Sequence, residues 1–158
     1  METPSRSAKR PFLVKLLFWI LLLHGLNAGI FGLLLFLNPD GSWIKMSASI
    51  LQSGPFKDFR IPGLLLFLFN GVYTLCIAYS LWKLPRWTWP DAINPFKKYH
   101  WVWAGTMAIS VILTIWITVQ VQFVVYAFIH TFYYIFAAII LLLTLTPAVR
   151  GYCRAGDV

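Results

Sequence analysis

Four long apolar stretches dominate the chain, roughly residues 11–37, 61–82, 99–119 and 123–146. None carries Asp, Glu or Arg, and the one Lys, Lys15, stands near the start of the first. A helix needs ~20 apolar residues to cross a ~30 Å hydrocarbon core, and each stretch reaches that length. Together they take up most of the 158 residues and leave no room for a soluble domain. The pattern predicts an all-α fold: a single-domain polytopic membrane protein, built as an antiparallel bundle of four transmembrane helices.

The polar positions between these stretches set the boundaries. Gln120-Val121-Gln122 lies between the third and fourth. One helix through both would measure about 70 Å, so the glutamines mark a break and a tight hairpin. Asn38-Pro39-Asp40-Gly41 supplies turn residues after the first stretch. Ser42 then caps a short helix over about 42–53, with Trp43, Met46, Ile50 and Leu51 at helical spacing. Gly54-Pro55 stops it, and the segment reads as an interfacial helix on the outer leaflet. The connection from Leu84 to Lys98 carries Pro85, Pro90 and Pro95 with Trp87 and Trp89, and reads as an ordered aromatic girdle.

Composition changes the picture only through where the charges fall. Charged residues make up 11% of the chain, against ~25% in a soluble domain, and the net charge is +8. The basic residues flank the apolar stretches, so the expected partners are membrane lipids and not nucleic acid. Ten stand on one side: Arg6, Lys9, Arg10 and Lys15; Lys83, Arg86, Lys97 and Lys98; Arg150 and Arg154. Three stand on the other: Lys45, Lys57 and Arg60. Both termini are therefore expected in the cytoplasm. The first stretch outruns a 7–15-residue signal-peptide core and is read as a retained helix. Cys76 lies inside the second stretch and Cys153 in the basic tail, so no disulfide is expected, and Cys76 reads as a small core hydrophobe.

Polar groups within the stretches are the candidate chemistry, because they are costly in hydrocarbon. The first holds His24 and Asn27 among Gly25, Gly29 and Gly32, whose small side allows another helix to approach. The second holds Asn70, Thr74 and Ala78 at every fourth position. The third holds Thr106, Ser110, Thr114 and Thr118 at the same spacing, and the fourth Tyr126, His130, Tyr133 and Ala137. Counting at 1.5 Å per residue puts Asn27, Asn70 and His130 about 12–16 Å below the outer boundary, with His24 one turn deeper. Asn27, Asn70, His130, His24 and Tyr126 are thus the candidate ligand-binding set. Gly25, Gly29, Gly32, Thr106, Ser110, Thr114 and Thr118 are the candidate helix-packing set. No cofactor is expected; the sharpest form of a pocket would be a haem between His24 and His130, against which the depth difference counts. All carboxylates lie in tails or loops, so neither a catalytic residue nor a metal ligand is assigned.

Ser53-Gly54-Pro55-Phe56, Ile61-Pro62-Gly63-Leu64-Leu65-Leu66, Asn70-Gly71, Trp116 and Val119-Gln120-Val121 recur in a recognisable arrangement. On these the chain resembles a group of small four-span bacterial membrane proteins. The resemblance implies the four-span architecture and a bacterial inner membrane, and carries no activity. Two function classes remain. The first is a non-enzymatic membrane protein acting through helix packing, as an accessory subunit of a complex or by self-association. The second is a lipid-, quinone- or haem-binding protein, or an enzyme, using the outer-half polar pocket.

Overall fold

The computed structural model describes residues 10–51, 54–124 and 126–154; Arg6, Lys9, Gln52 and Ser53 lie outside them. Among the described residues the protein is all-helical, with no strand. Four helices are long and apolar enough to cross a membrane: α1 (Phe12–Leu37), α2 (Arg60–Lys83), α3 (Trp101–Gln120) and α4 (Phe128–Leu145). A fifth, α5 (Pro147–Tyr152), starts after a break at Thr146. The Thr146 hydroxyl accepts the Val149 N–H, and Pro147 takes the first helical position, where its missing donor costs nothing.

Over its described residues 42–51, the segment expected as one helix over 42–53 is instead two 3₁₀ turns, Ser42–Ile44 and Ala48–Leu51. Its start is bound by side chains of the preceding turn. Asp40 accepts from the Ser42 N–H, and Asn38 accepts from the Ser42 hydroxyl and the Trp43 N–H. Lys45 then adopts φ 55°, a left-handed conformation that no α-helix continues through.

The start of α4 is also corrected, from 123 to Phe128. Phe123 and Val124 leave the helical path and join the distal core instead. Val124 packs on the cluster of Leu35, Leu51 and Phe59, and Phe123 lies against Gly54.

Chain direction now places the elements. α1 packs along α2 and α3 along α4. The pairs meet where the Tyr73 hydroxyl donates to the Gly105 carbonyl (3.1 Å) and where His24 meets Tyr133 and Phe136. At the proximal end, where both described chain ends lie, Val14, Leu81, Leu84, Trp101, Val102, Val149 and Cys153 form one buried cluster.

The connection expected to be ordered is tightly tied there. His100 caps α3, its Nδ1 accepting from Val102 N–H while Nε2 donates to the Pro85 carbonyl at 3.2 Å, which fixes the neutral tautomer. The Trp101 indole donates to the same carbonyl, and Trp87 stacks on Trp101. Buried Asn94 holds the loop through Tyr99 O and Phe96 N. From the other flank, the His100 N–H donates to Cys153 O at 2.7 Å and the Trp103 indole to Thr144 O at 2.9 Å.

Candidate functional site: polar side chains buried between the helices

The glycines of α1 decide how close α2 can come. A Cβ built on Gly32 would stand 2.4 Å from the Phe67 nitrogen, and one on Gly71 would stand 2.7 Å from Gly29 Cα. Gly63 is pressed against Phe36 N and Leu35, and Gly25 against Leu75. The contact line on α2 thus runs through Gly63, Phe67, Gly71 and Leu75, every fourth residue. In an α-helix four residues turn about 400°, so such a line drifts off its neighbour.

Over Leu66–Val72, however, α2 winds as a π-helix. The wider i→i+5 winding makes four residues fall short of a full turn, so the two drifts offset and the line stays on α1. Asn70 and Gly71 sit in this wider segment.

The same geometry turns Asn70 inward. Its side chain is 1% exposed and adjoins the imidazole of His24, which is itself buried between α2 and α4. The His24 ring packs on Phe136 (5.4 Å between centroids) and Tyr133 (6.2 Å). Thr74 follows one turn along α2 and is fully buried. Ser110 on α3 is also buried, about one and a half turns distal of Gly105 and about 140° round the helix from it.

His24 Nε2, Asn70 Nδ2 and Oδ1, Thr74 Oγ1 and Ser110 Oγ are all buried and none meets a partner in full hydrogen-bond geometry, although the His24 imidazole and the Asn70 amide adjoin each other. Leaving such a group unpaired costs about 1–3 kcal/mol, so a cluster of them is a site waiting for hydrogen-bonding atoms.

Of the other residues in the expected set, Asn27 is exposed on α1, whereas Asn70 and His130 are buried, and no hydrogen bond among the described residues joins Asn27 to either. His130 is buried, but in the first turn of α4, where its Nδ1 accepts the Ala127 N–H at 2.9 Å. It therefore caps the helix, and the late start of α4 brings it close to the helix end. Tyr126 is exposed and stacks on His130, with its hydroxyl bonded to Thr131. No hydrogen bond or ring contact among the described residues joins His130 to His24. Cys76, expected in the core, is exposed on α2, and Cys153 is fully buried.

The expected packing residues divide as well. Gly25, Gly29 and Gly32 all lie at the α1–α2 contact. Along α3 the threonines bond back to their own helix: Thr106 to Val102 O, Thr114 to Ser110 O and Thr118 to Thr114 O. Thr106 and Ser110 are buried and Thr114 is exposed, as a line drifting round the helix must become. Thr118 reaches α4 through the Tyr134 hydroxyl. Sequence reasoning noted Thr74 at every-fourth spacing with Asn70 but left it out of the ligand-binding set, and it passed over Phe136 and the π-helical winding.

No protein-family profile matches the chain, and no curated protein or solved structure is significantly similar to it.

Proposed function

We propose that this is an integral membrane protein, inserted as an antiparallel four-helix bundle with both termini in the cytoplasm. In this reading it holds an uncharged, hydrogen-bonding lipophile at His24, Asn70, Thr74 and Ser110 and catalyses no reaction. One observation supports it: five polar atoms from three helices are buried without a partner in hydrogen-bond geometry, and His24 and Asn70 among them adjoin. An uncharged ligand suits a site with no charged side chain beside it. The bacterial inner membrane is the location the family resemblance implies. A role resting on the glycine stripe alone is less well supported, because α2 of the same chain already covers Gly25, Gly29 and Gly32.

The test uses the full chain purified in mild detergent, with mass spectrometry of extracted lipophiles and a thermal melt. Asn70 has no partner to lose, so Asn70→Leu should leave the ligand-free protein as stable or slightly more stable. The same change should abolish retention of the co-purified molecule. A protein that carries no lipophile, and melts lower as Asn70→Leu, would overturn the reading. Topology is tested separately: a cysteine at Ser49 should be labelled only from outside the cell.

A further inference from the structure

The outer face of α1 carries a feature that the polar site does not explain. Leu16, Leu23, Ile30 and Leu37 recur every seventh residue, and all four are exposed, Leu23 at 64% and Ile30 at 57%. Ile20, Asn27 and Leu34 occupy the positions between them, at alternating spacings of four and three; Asn27 is exposed, Leu34 half-buried, and Ile20 half-buried against the core. This is an unbroken heptad seam, with Asn27 near its centre. It spans about 32 Å, the full thickness of the hydrocarbon core, on the side of α1 roughly opposite the glycines that contact α2.

Asn27 makes no hydrogen bond among the described residues, and it lies about 15 Å from the distal end of α1, near mid-membrane in the proposed topology. An amide facing acyl chains there loses the hydrogen bonds it would make in water.

We propose that this seam is the interface of a parallel homodimer, in which Asn27 of each copy hydrogen-bonds Asn27 of the other. The occupant follows from chemistry on both sides of the contact. A carboxamide is both donor and acceptor, so it is complementary to itself. Two copies inserted with the same topology present α1 in parallel, and a two-fold axis places equal residue numbers at equal height. One asparagine at a central seam position also fixes register, because any slip would leave two amides in hydrocarbon. This inference stands apart from the proposed lipophile site, since the two lie on different faces of α1.

The test is energy transfer between donor- and acceptor-labelled copies of the full chain in phosphatidylcholine vesicles, followed as lipid dilutes the protein. The native chain should show a monomer–dimer equilibrium. Asn27→Leu should weaken it about threefold to twentyfold, the range set by one interhelical hydrogen bond in a membrane. Val111→Leu, at an exposed position on α3, should leave it unchanged. In a Cys76→Ala background, Asn27→Cys should give a covalent dimer on oxidation. Transfer no greater than random proximity, or a dimer indifferent to Asn27→Leu, would refute the proposal. So would cross-linking of Val111→Cys in place of Asn27→Cys, which would move the interface to another helix.

Discussion

Gly29 and Gly32 stand three residues apart on α1, and the same alanine substitution should have opposite effects at the two. At Gly32 the added Cβ would meet the Phe67 nitrogen at 2.4 Å, Phe67 Cα at 2.7 Å and the Gly63 carbonyl oxygen at 2.9 Å. All three atoms are main chain, so no side chain can turn away. The helices must part by about 1 Å to restore ordinary contact. Overpacking of this kind costs about 1–3 kcal/mol, and a clash with backbone belongs near the upper end. Replacing glycine within a helix returns up to about 1 kcal/mol, which leaves a net loss near 2 kcal/mol. At Gly29 the nearest atom to the new Cβ is Gly71 Cα at 3.8 Å, an ordinary contact. The clash term is absent there, and Gly29→Ala should be neutral or stabilising by up to about 1 kcal/mol. The difference between the two variants is therefore about 3 kcal/mol, with helix propensity cancelled. Unfolding by dodecyl sulfate in mild-detergent micelles, followed by circular dichroism, measures it. Equal destabilisation by the two alanines would show that the line Gly63–Phe67–Gly71 does not lie on α1 as described.

Two further outcomes follow from groups at the helix ends. Burial pushes the Cys153 thiol up to about 12 from an ordinary 9.0, so the folded chain holds its proton more tightly than the unfolded one. Stability should be flat below pH 9 and fall as pH rises from 9 toward 12, and Cys153→Ala should remove that slope in pH-dependent melts. The same burial should keep Cys153 unlabelled by thiol reagents in detergent while exposed Cys76 reacts. His130→Phe should cost about 1 kcal/mol, the worth of a lost N-terminal cap for Ala127 N–H, in the same unfolding assay. It should leave any co-purified molecule in place, whereas loss of that molecule would return His130 to the ligand set.

The count and approximate extent of the long helices were legible because hydropathy is a property of local composition, and each span needs only length and the absence of charge. What hydropathy cannot distinguish is an apolar residue inside a helix from one plugging a core beside it. Phe123 and Val124 are apolar enough to extend α4, yet they pack on the distal cluster and on Gly54, and the helix begins five residues later than expected. That shift moved His130 from mid-span to a first-turn cap. The glycine face of α1 was also legible, and with it the position of Asn27. At 100° per residue Asn27 lies about 200° from Gly25, on the far side of the helix from any neighbour the glycines admit. Reading depth alone grouped Asn27 with Asn70, whereas depth and azimuth together would have separated them.

The adjacency of His24 and Asn70 was the opposite case, because counting 1.5 Å per residue set them a turn apart. That count assumes uniform α-helices standing upright. A seven-residue π segment advances less per residue than an α-helix, and α2 contains one at Asn70 itself. Its cause is spread over two helices. Gly63, Phe67, Gly71 and Leu75 each face α1, and only a mixed winding keeps all four on one line. No local propensity in Leu66–Val72 encodes this, since the segment reads as ordinary apolar helix. The winding coincides with the α1–α2 contact, and the inward-turned Asn70 lies within it. A substitution that separates α1 from α2, such as Gly32→Ala, should then disturb the polar site even though it touches none of its members. Loss of the co-purified lipophile in Gly32→Ala, with retention in Gly29→Ala, would link the packing line to the site. Retention in both would show that the site does not depend on the spacing of α1 and α2 at Gly32.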